Sequence, residues 1–364
     1  MSTIQQIFQD HAASYLECFG DNIPEAHRRT IAAICECRTG LRGQHVFQCP
    51  ECGEWKMTDS SCGNRHCPAC QNGKAAEWVY RQQLKLLPCT YFLATFTVPE
   101  GLRKAARANQ RTVYKAIMDC AASSLRTLEA DKRFVGCNVA GFFGVLHTWG
   151  RQLQYHPHAH FVIPGGGLSK SRDRWIPANG SFLVHVRALS KMFRGKMRDA
   201  LGKSELLHLI PQRVWKRDWV VHCEAVGNGR DVMKYLGAYV FRVAVSDSRI
   251  ASYNGKSVVV RYQKVGSARW RHMKLSPFEF IRRYLQHVLP AGFMKVRHYG
   301  FLSPNFKMPV EKIRELICVL YEILRDTLPK IKPPESRPLR CPACNSIMRC
   351  THFIPVTRFT GPSP

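Results

Sequence analysis

The sequence predicts an α+β protein. Stretches with strand-like alternation, or rich in β-branched and aromatic residues, are interrupted by helical stretches without the regular strand–helix–strand rhythm of a parallel sheet. Sixteen cysteines, gathered mainly in two clusters, add small metal-bound units to that frame.

Residues 1 to about 30 carry Ile4, Ile7, Phe8 and Ala12 at helical spacing. The cysteine-rich segment Cys35 to Cys70 follows, and "AAEWVYRQQLKLL" (75–87) reads as a linking helix. "TYFLATFTVP" (90–99) is a strand ended by Pro99, and residues 102–130 form one or two helices. "GFFGVLHTWG" and "QLQYHPHAHFVIPGGG" read as two strands joined by a tight turn at Gly150. A basic helix is expected at 184–203, then the strand "DWVVHCEAV". "RDVMKYLGAYVFRVAV" begins as a helix and turns to strand near Arg242. "RIASYNGKSVVVRYQ" is a hairpin turning at Asn254-Gly255, and Ser276 caps a helix over "SPFEFIRRYLQHVL". A last helix, "VEKIRELICVLYEIL", leads through a proline-rich linker to the late cysteines. The expected division is 1–86, 87–305 and 306–364: zinc-binding domain, central domain, and a helix with a cysteine knuckle.

Lysine and arginine number 54 against 26 acids, a net charge of +28 spread along the chain. Such an excess points to a long polyanionic partner, nucleic acid foremost. The chain has no run of about 18 apolar residues with which to span a membrane, and the opening residues lack the layout of a secretion signal. The expected location is the cytoplasm, in association with the nucleoid, where thiols stay reduced and clustered cysteines read as metal ligands.

Cys49/Cys52 and Cys67/Cys70 are CxxC knuckles, each able to bring two thiolates to one tetrahedral zinc. Fourteen residues separate them, which fits a zinc ribbon built on both. Cys37, Cys62 and His66 remain for a second zinc, with Cys35, His45 or His27 as its fourth ligand; the alternative is that Cys35 and Cys37 are buried thiols. Cys341, Cys344, Cys350 and His352 offer a further late site, the alternative being a knuckle completed elsewhere in the chain or left without metal. All of these would be structural, since four protein ligands leave no open position.

His156, His158 and His160 alternate, so on a strand their rings share one face. Neutral imidazoles so placed can bind a divalent ion. Tyr235 and Tyr239 are four apart, one helical turn, with hydroxyls on one side. Aromatics at that spacing also fit a core; beside a histidine metal site and a basic surface, they fit nucleophilic attack on a phosphodiester.

The blocks "CRTGLRG…CPECG…SCGNRHCPACQ", "FTVPEGLR", "LHTWGRQLQYHPHAHFVIPGGG", "YLGAYVFRVAVSDSRI" and "FIRRYLQHVLPAGFMKVRHYGFL" resemble the rolling-circle insertion-sequence transposases of the two-tyrosine HUH superfamily. These are the ones with a transposase zinc-binding domain at the N-terminus. The resemblance covers roughly residues 27–302. It implies a central antiparallel sheet with helices on its faces and the histidine pair on a middle strand. It implies His158 and His160 as ligands of catalytic magnesium or manganese, and Tyr235 and Tyr239 as nucleophiles. It further implies single-stranded DNA of element ends and target as substrate, and a 5′-phosphotyrosine intermediate. The third ligand is His147 or His156. Arg242 and Arg249 are candidates for phosphate contacts; the stretch Trp215 to Trp219, with Lys216 and Arg217, and the stretch Trp270 to His272 are candidates for base stacking and phosphate binding, the alternative being that the tryptophans are core. A homodimer is compatible with the sequence. A replication initiator or relaxase with the same chemistry, and a non-catalytic zinc-dependent DNA-binding protein, are the alternatives.

Overall fold

The computed structural model describes residues 2–70, 74–240, 244–264, 266–324, 331–335 and 338–356, with only the backbone described for Ala238 and Tyr239. The early elements are α1 (Thr3–Phe19), α2 (Glu25–Cys35), β1 (Gln44–Gln48), β2 (Trp55–Asp59) and α3 (Lys74–Gln83). Then come β3 (Tyr91–Thr97), α4 (Glu100–Ala108), α5 (Gln110–Glu129), β4 (Gly141–Trp149) and β5 (Tyr155–Pro164). They are followed by β6 (Gly166–Leu168), β7 (Trp175–Pro177), α6 (Val186–Gly202), β8 (Val221–Ala225) and α7 (Arg230–Val240). The remainder is β9 (Ile250–Tyr253), β10 (Val258–Gln263), β11 (Trp270–Leu275), α8 (Pro277–Leu285), β12 (Val296–Gly300), α9 (Val310–Leu320) and β13 (Arg349–Ile354).

The chain divides into two compact units, one of residues 1–76, 241–288 and 333–364, the other of 77–240 and 289–332. This differs from three consecutive blocks, because 241–288 folds with the early residues. Asp247 accepts a hydrogen bond from the Ile4 amide (2.8 Å), and Tyr284 donates to the His66 carbonyl (2.7 Å). In this unit β9, β10 and β11 form one antiparallel sheet and β13, β1 and β2 another. Ser276 caps α8 as expected, accepting from the Glu279 amide at 3.2 Å.

The other unit is built on a five-stranded antiparallel sheet in the order β12-β4-β5-β3-β8. Alternation along the two inner strands sorts their side chains. Phe142, Leu146, Ala159 and Phe161 face a core shared with Leu102 of α4, Ile117 and Leu125 of α5, and Phe193 and Met197 of α6. Phe143, Val145 and Val162 face the opposite way and pack with Val232, Met233 and Leu236 of α7. Residues 102–130 are two helices, broken at Asn109, whose amide donates back to Ala105.

Glycines decide two close approaches. A Cβ at Gly237 would lie 2.1 Å from Val79 Cγ2, so only glycine lets α7 settle against α3. In "PGGG" the three glycines are buried, and added Cβ atoms would lie 2.8 Å from the Thr90 carbonyl, 2.5 Å from that of Ile176 and 2.6 Å from Cys137 Sγ. Their service is therefore to let the chain leave the sheet tightly within the core. The turn between β4 and β5 is longer than the sequence suggested: it spans residues 150–154, with Leu153 at φ 61°.

Candidate active site and metal centres

The three imidazoles of His147, His158 and His160 converge on the sheet face that carries α7. His147 of β4 sits directly across from His158 of β5, and His160 is two residues further along β5. Ring centroids lie 5.2 Å (147–158), 4.6 Å (147–160) and 4.9 Å (158–160) apart. Each ring offers a nitrogen within 4.8 Å of the other two, close enough for one ion. Of the two candidates for third ligand, the structure brings in His147. His156 stays outside the group: its Nδ1 is 2.7 Å from an Arg103 guanidinium nitrogen, which can only donate to it.

The chemistry of these rings suits a divalent cation. Burial, with His160 and His158 as neighbours, holds His147 well below the usual imidazole range. Burial likewise holds His158 well below it and takes His160 to about 4. All three are neutral near pH 7, with lone pairs to give. His158 Nδ1 lies 2.7 Å from the His156 carbonyl, which can only accept, so Nδ1 carries the proton and Nε2 is left for a ligand. The Thr95 hydroxyl orients His160 through its Nδ1 (3.0 Å).

Helix α7 reaches this site from its last turn. Lys295 Nζ donates to the Val240 carbonyl (3.1 Å) and lies 4.7 Å from the centre of the Trp149 ring, which stacks on His147 at 5.3 Å. Tyr235 lies on the exposed side of the helix, 45% accessible, while Leu236 beside it is fully buried. So Tyr235 is not a core residue. Tyr239 follows one turn later, next to Val240; its side chain lies outside the described residues.

The cysteines group differently from the sequence expectation. The knuckles Cys49/Cys52 and Cys67/Cys70 do not share a site. Cys67 and Cys70 join Cys37 and Cys62 in one cluster, with Sγ separations of 3.4 Å for 37–70 and 62–70. Burial pushes the Cys37 thiol up to about 11, while hydrogen bonding from Cys67 brings Cys62 down to about 5. His66, expected as a ligand, is not in the cluster, and its Nε2 accepts from Arg65 at 3.3 Å. Cys35, His45 and His27 stand outside it too. Cys49 and Cys52 meet Cys341 and Cys344 instead, whereas Cys350 and His352 are exposed on β13. Equal CxxC spacing cannot reveal this partition, because any knuckle can pair with any other.

Residues 141–309 match the family model described as "Putative transposase", and residues 7–98 match the one described as "Transposase zinc-binding domain". "Putative transposase y4qJ" of Sinorhizobium fredii (strain NBRC 101917 / NGR234) is 35% identical over 370 residues, 94% of this chain and 92% of that protein. The "Transposase for insertion sequence element IS801" of Pseudomonas savastanoi pv. phaseolicola is 28% identical over 357 residues, 89% and 83% of the two chains. No solved structure matches significantly. The chain belongs to the IS91 family of insertion-sequence transposases.

The transposase does not expose all of the residues expected to touch DNA. Trp215 is buried and stacks on Trp219 at 5.4 Å, whose indole N–H donates to the Val214 carbonyl (3.0 Å). Basic neighbours in the sequence suggested a stacking platform, but the ring is core. Lys216 and Arg217 are exposed. Arg249 donates to the Arg261 carbonyl (2.9 Å), and Arg242 lies outside the described residues. Trp270, in the second stretch where aromatic and basic residues interleave, is half exposed, with the Arg261 guanidinium 5.3 Å from its ring centre. His272 and Lys274 alternate with it along β11, and that strand pattern adds Lys274 to the row. No helix among the described residues is long and apolar enough to cross a membrane.

Proposed function

We propose that this transposase nicks and rejoins single-stranded DNA at element ends through a 5′-phosphotyrosine, moving its element by a rolling-circle route. The observation that carries the reading is the convergence of His147, His158 and His160 on the sheet face against which the tyrosine helix packs. Those three imidazoles would hold magnesium or manganese, whose positive charge would polarise the scissile phosphate and stabilise the charge developing on its oxygens. The hydroxyl of Tyr235 or Tyr239 attacks phosphorus, forming a Tyr O–P bond as the P–O3′ bond breaks. The tyrosine proton is lost, and the departing O3′ gains one. That 3′-OH later reverses the step on a joined or target strand. The Cys37, Cys62, Cys67 and Cys70 cluster holds zinc within the zinc-binding domain.

The choice of single strands is supported by β11. Trp270, His272 and Lys274 form a row with one aromatic ring for stacking and basic side chains for phosphates. Labelled single-stranded oligonucleotides of the element ends, incubated with magnesium or manganese, test the proposal on a denaturing gel. The wild type should form a metal-dependent, slower-migrating covalent species that disappears in Tyr235→Phe/Tyr239→Phe. Binding without that species at any end would overturn it.

A further inference from the structure

We infer that Cys49, Cys52, Cys341 and Cys344 bind one structural zinc ion, so that the late segment 339–354 is an integral half of a zinc ribbon begun by residues 44–59. The domain match at residues 7–98 contains only one of its two knuckles.

Sulfur spacing is the first support. Cys49 Sγ lies 3.4 Å from Cys344 Sγ, and Cys52 Sγ lies 3.5 Å from Cys341 Sγ. A disulfide needs about 2.05 Å. A tetrahedral zinc with bonds of about 2.3 Å sets sulfurs about 3.8 Å apart, close to what is seen. The cysteines of each of these contacts are separated by 289 or 295 residues, so the convergence is a product of the fold and not of local chain stiffness.

The second support is that the two knuckles are local copies of each other. In "CPECGE" the Cys49 amide donates to the Glu54 carbonyl (2.8 Å), and the Gly53 amide donates back to Cys49 (3.0 Å). In "CPACNS" the Cys341 amide donates to the Ser346 carbonyl (2.9 Å), and the Asn345 amide donates back to Cys341 (3.0 Å). The fifth residue is left-handed in both, Gly53 at φ 76° and Asn345 at φ 62°; glycine and asparagine tolerate that region best. Each knuckle also tips a hairpin. The first joins β1 to β2; the second joins the stretch at Leu339–Arg340 to β13, through the Arg340–Ile347 bridge and the Met348 amide bonded to Leu339 (2.9 Å). β1 pairs with both β2 and β13, so the two hairpins merge into one sheet.

The third support is what surrounds the thiols. The local core consists of Cys49, Cys341 and Met348, flanked by Phe47 and Leu339. So small an apolar cluster does not offset the ordering of two hairpins, and small folds of this kind rely on a metal.

The test uses the whole chain. Metal analysis of the Cys341→Ser/Cys344→Ser variant should show one zinc equivalent fewer than the wild type, and Cys49→Ser/Cys52→Ser should lose the same equivalent. Cobalt substitution should show a matching drop in thiolate-to-metal absorption. An unchanged zinc content in the folded variants would overturn the inference. Should the variants fail to fold, alkylation of the wild type decides. Cys18, Cys52, Cys344 and Cys350 are all exposed. Cys18 and Cys350 should label at once, while Cys52 and Cys344 should resist until a zinc chelator is added, then label together with Cys49 and Cys341. Labelling of Cys52 and Cys344 at the rate of Cys18 would equally overturn it.

Discussion

Without a bound divalent cation, the three neutral imidazoles of the proposed active site make their unit sensitive to acid in a calculable way. Burial depresses the folded values of His147, His158 and His160, so the folded state disfavours their charged forms. The sign follows: stability is complete above the ordinary histidine value and is lost as pH falls through it toward the folded value. For His160, folded value about 4, the loss between pH 7.5 and pH 5.5 comes to about 1.3 kcal/mol. Burial shifts His147 and His158 in the same direction, so both add to the acid loss. Urea unfolding of the wild type and His160→Gln at both pH values, with contributions common to the two cancelling, reads this directly. The variant should lose about 1.3 kcal/mol less on acidification, and manganese should blunt the wild-type loss, because a bound ion needs neutral rings. Equal acid losses in the two proteins would refute the reasoning.

Three further outcomes follow from packing and burial. Glu129 is fully buried, with no hydrogen-bond partner for either carboxyl oxygen among the described residues, and burial raises its pKa well above the carboxylate range. Its folded form is neutral, so stability falls as pH rises above the ordinary value, by up to about 1.4 kcal/mol per pH unit; Glu129→Gln should remove that slope in unfolding curves. Trp215→Ala should cost about 3–5 kcal/mol in the same assay, yet leave the salt dependence of DNA binding unchanged, because the ring is core. Gly144→Ala would put a Cβ 2.6 Å from the Phe161 ring and 3.0 Å from Met118 Cε; the midpoint of unfolding should drop by an amount corresponding to about 1–3 kcal/mol.

How much of this was legible in the sequence depended on the range of the interaction that fixed each feature. The histidine alternation is local: a strand must aim His158 and His160 the same way, and "LHTW" supplied a neighbour for them. The tyrosine spacing is equally local to α7. Pairing is not local. Nothing near Cys49 tells it to seek Cys341, and β13 is defined only by its partner β1. Strands β1 and β12 escaped notice because every residue in them is half-buried, so no clean apolar alternation marks them. Trp215 was ambiguous for another reason: Lys216 and Arg217 beside it are exposed, and one sequence stretch holds both surface and core. The grouping of 241–288 with the early residues rests on contacts such as Ile4 with Asp247, 243 positions apart.

The most direct test of the proposed active site is to find which residue becomes joined to DNA. A covalent complex formed on a single-stranded element end would be digested with nuclease and protease and sequenced by mass spectrometry. The expected result is a nucleotide phosphate on Tyr235 or Tyr239, formed only with a divalent cation and lost in His158→Ala/His160→Ala. A nucleotide on any other residue, or one formed equally well in the histidine variant, would contradict the assignment of tyrosine helix and histidine cluster to one reaction.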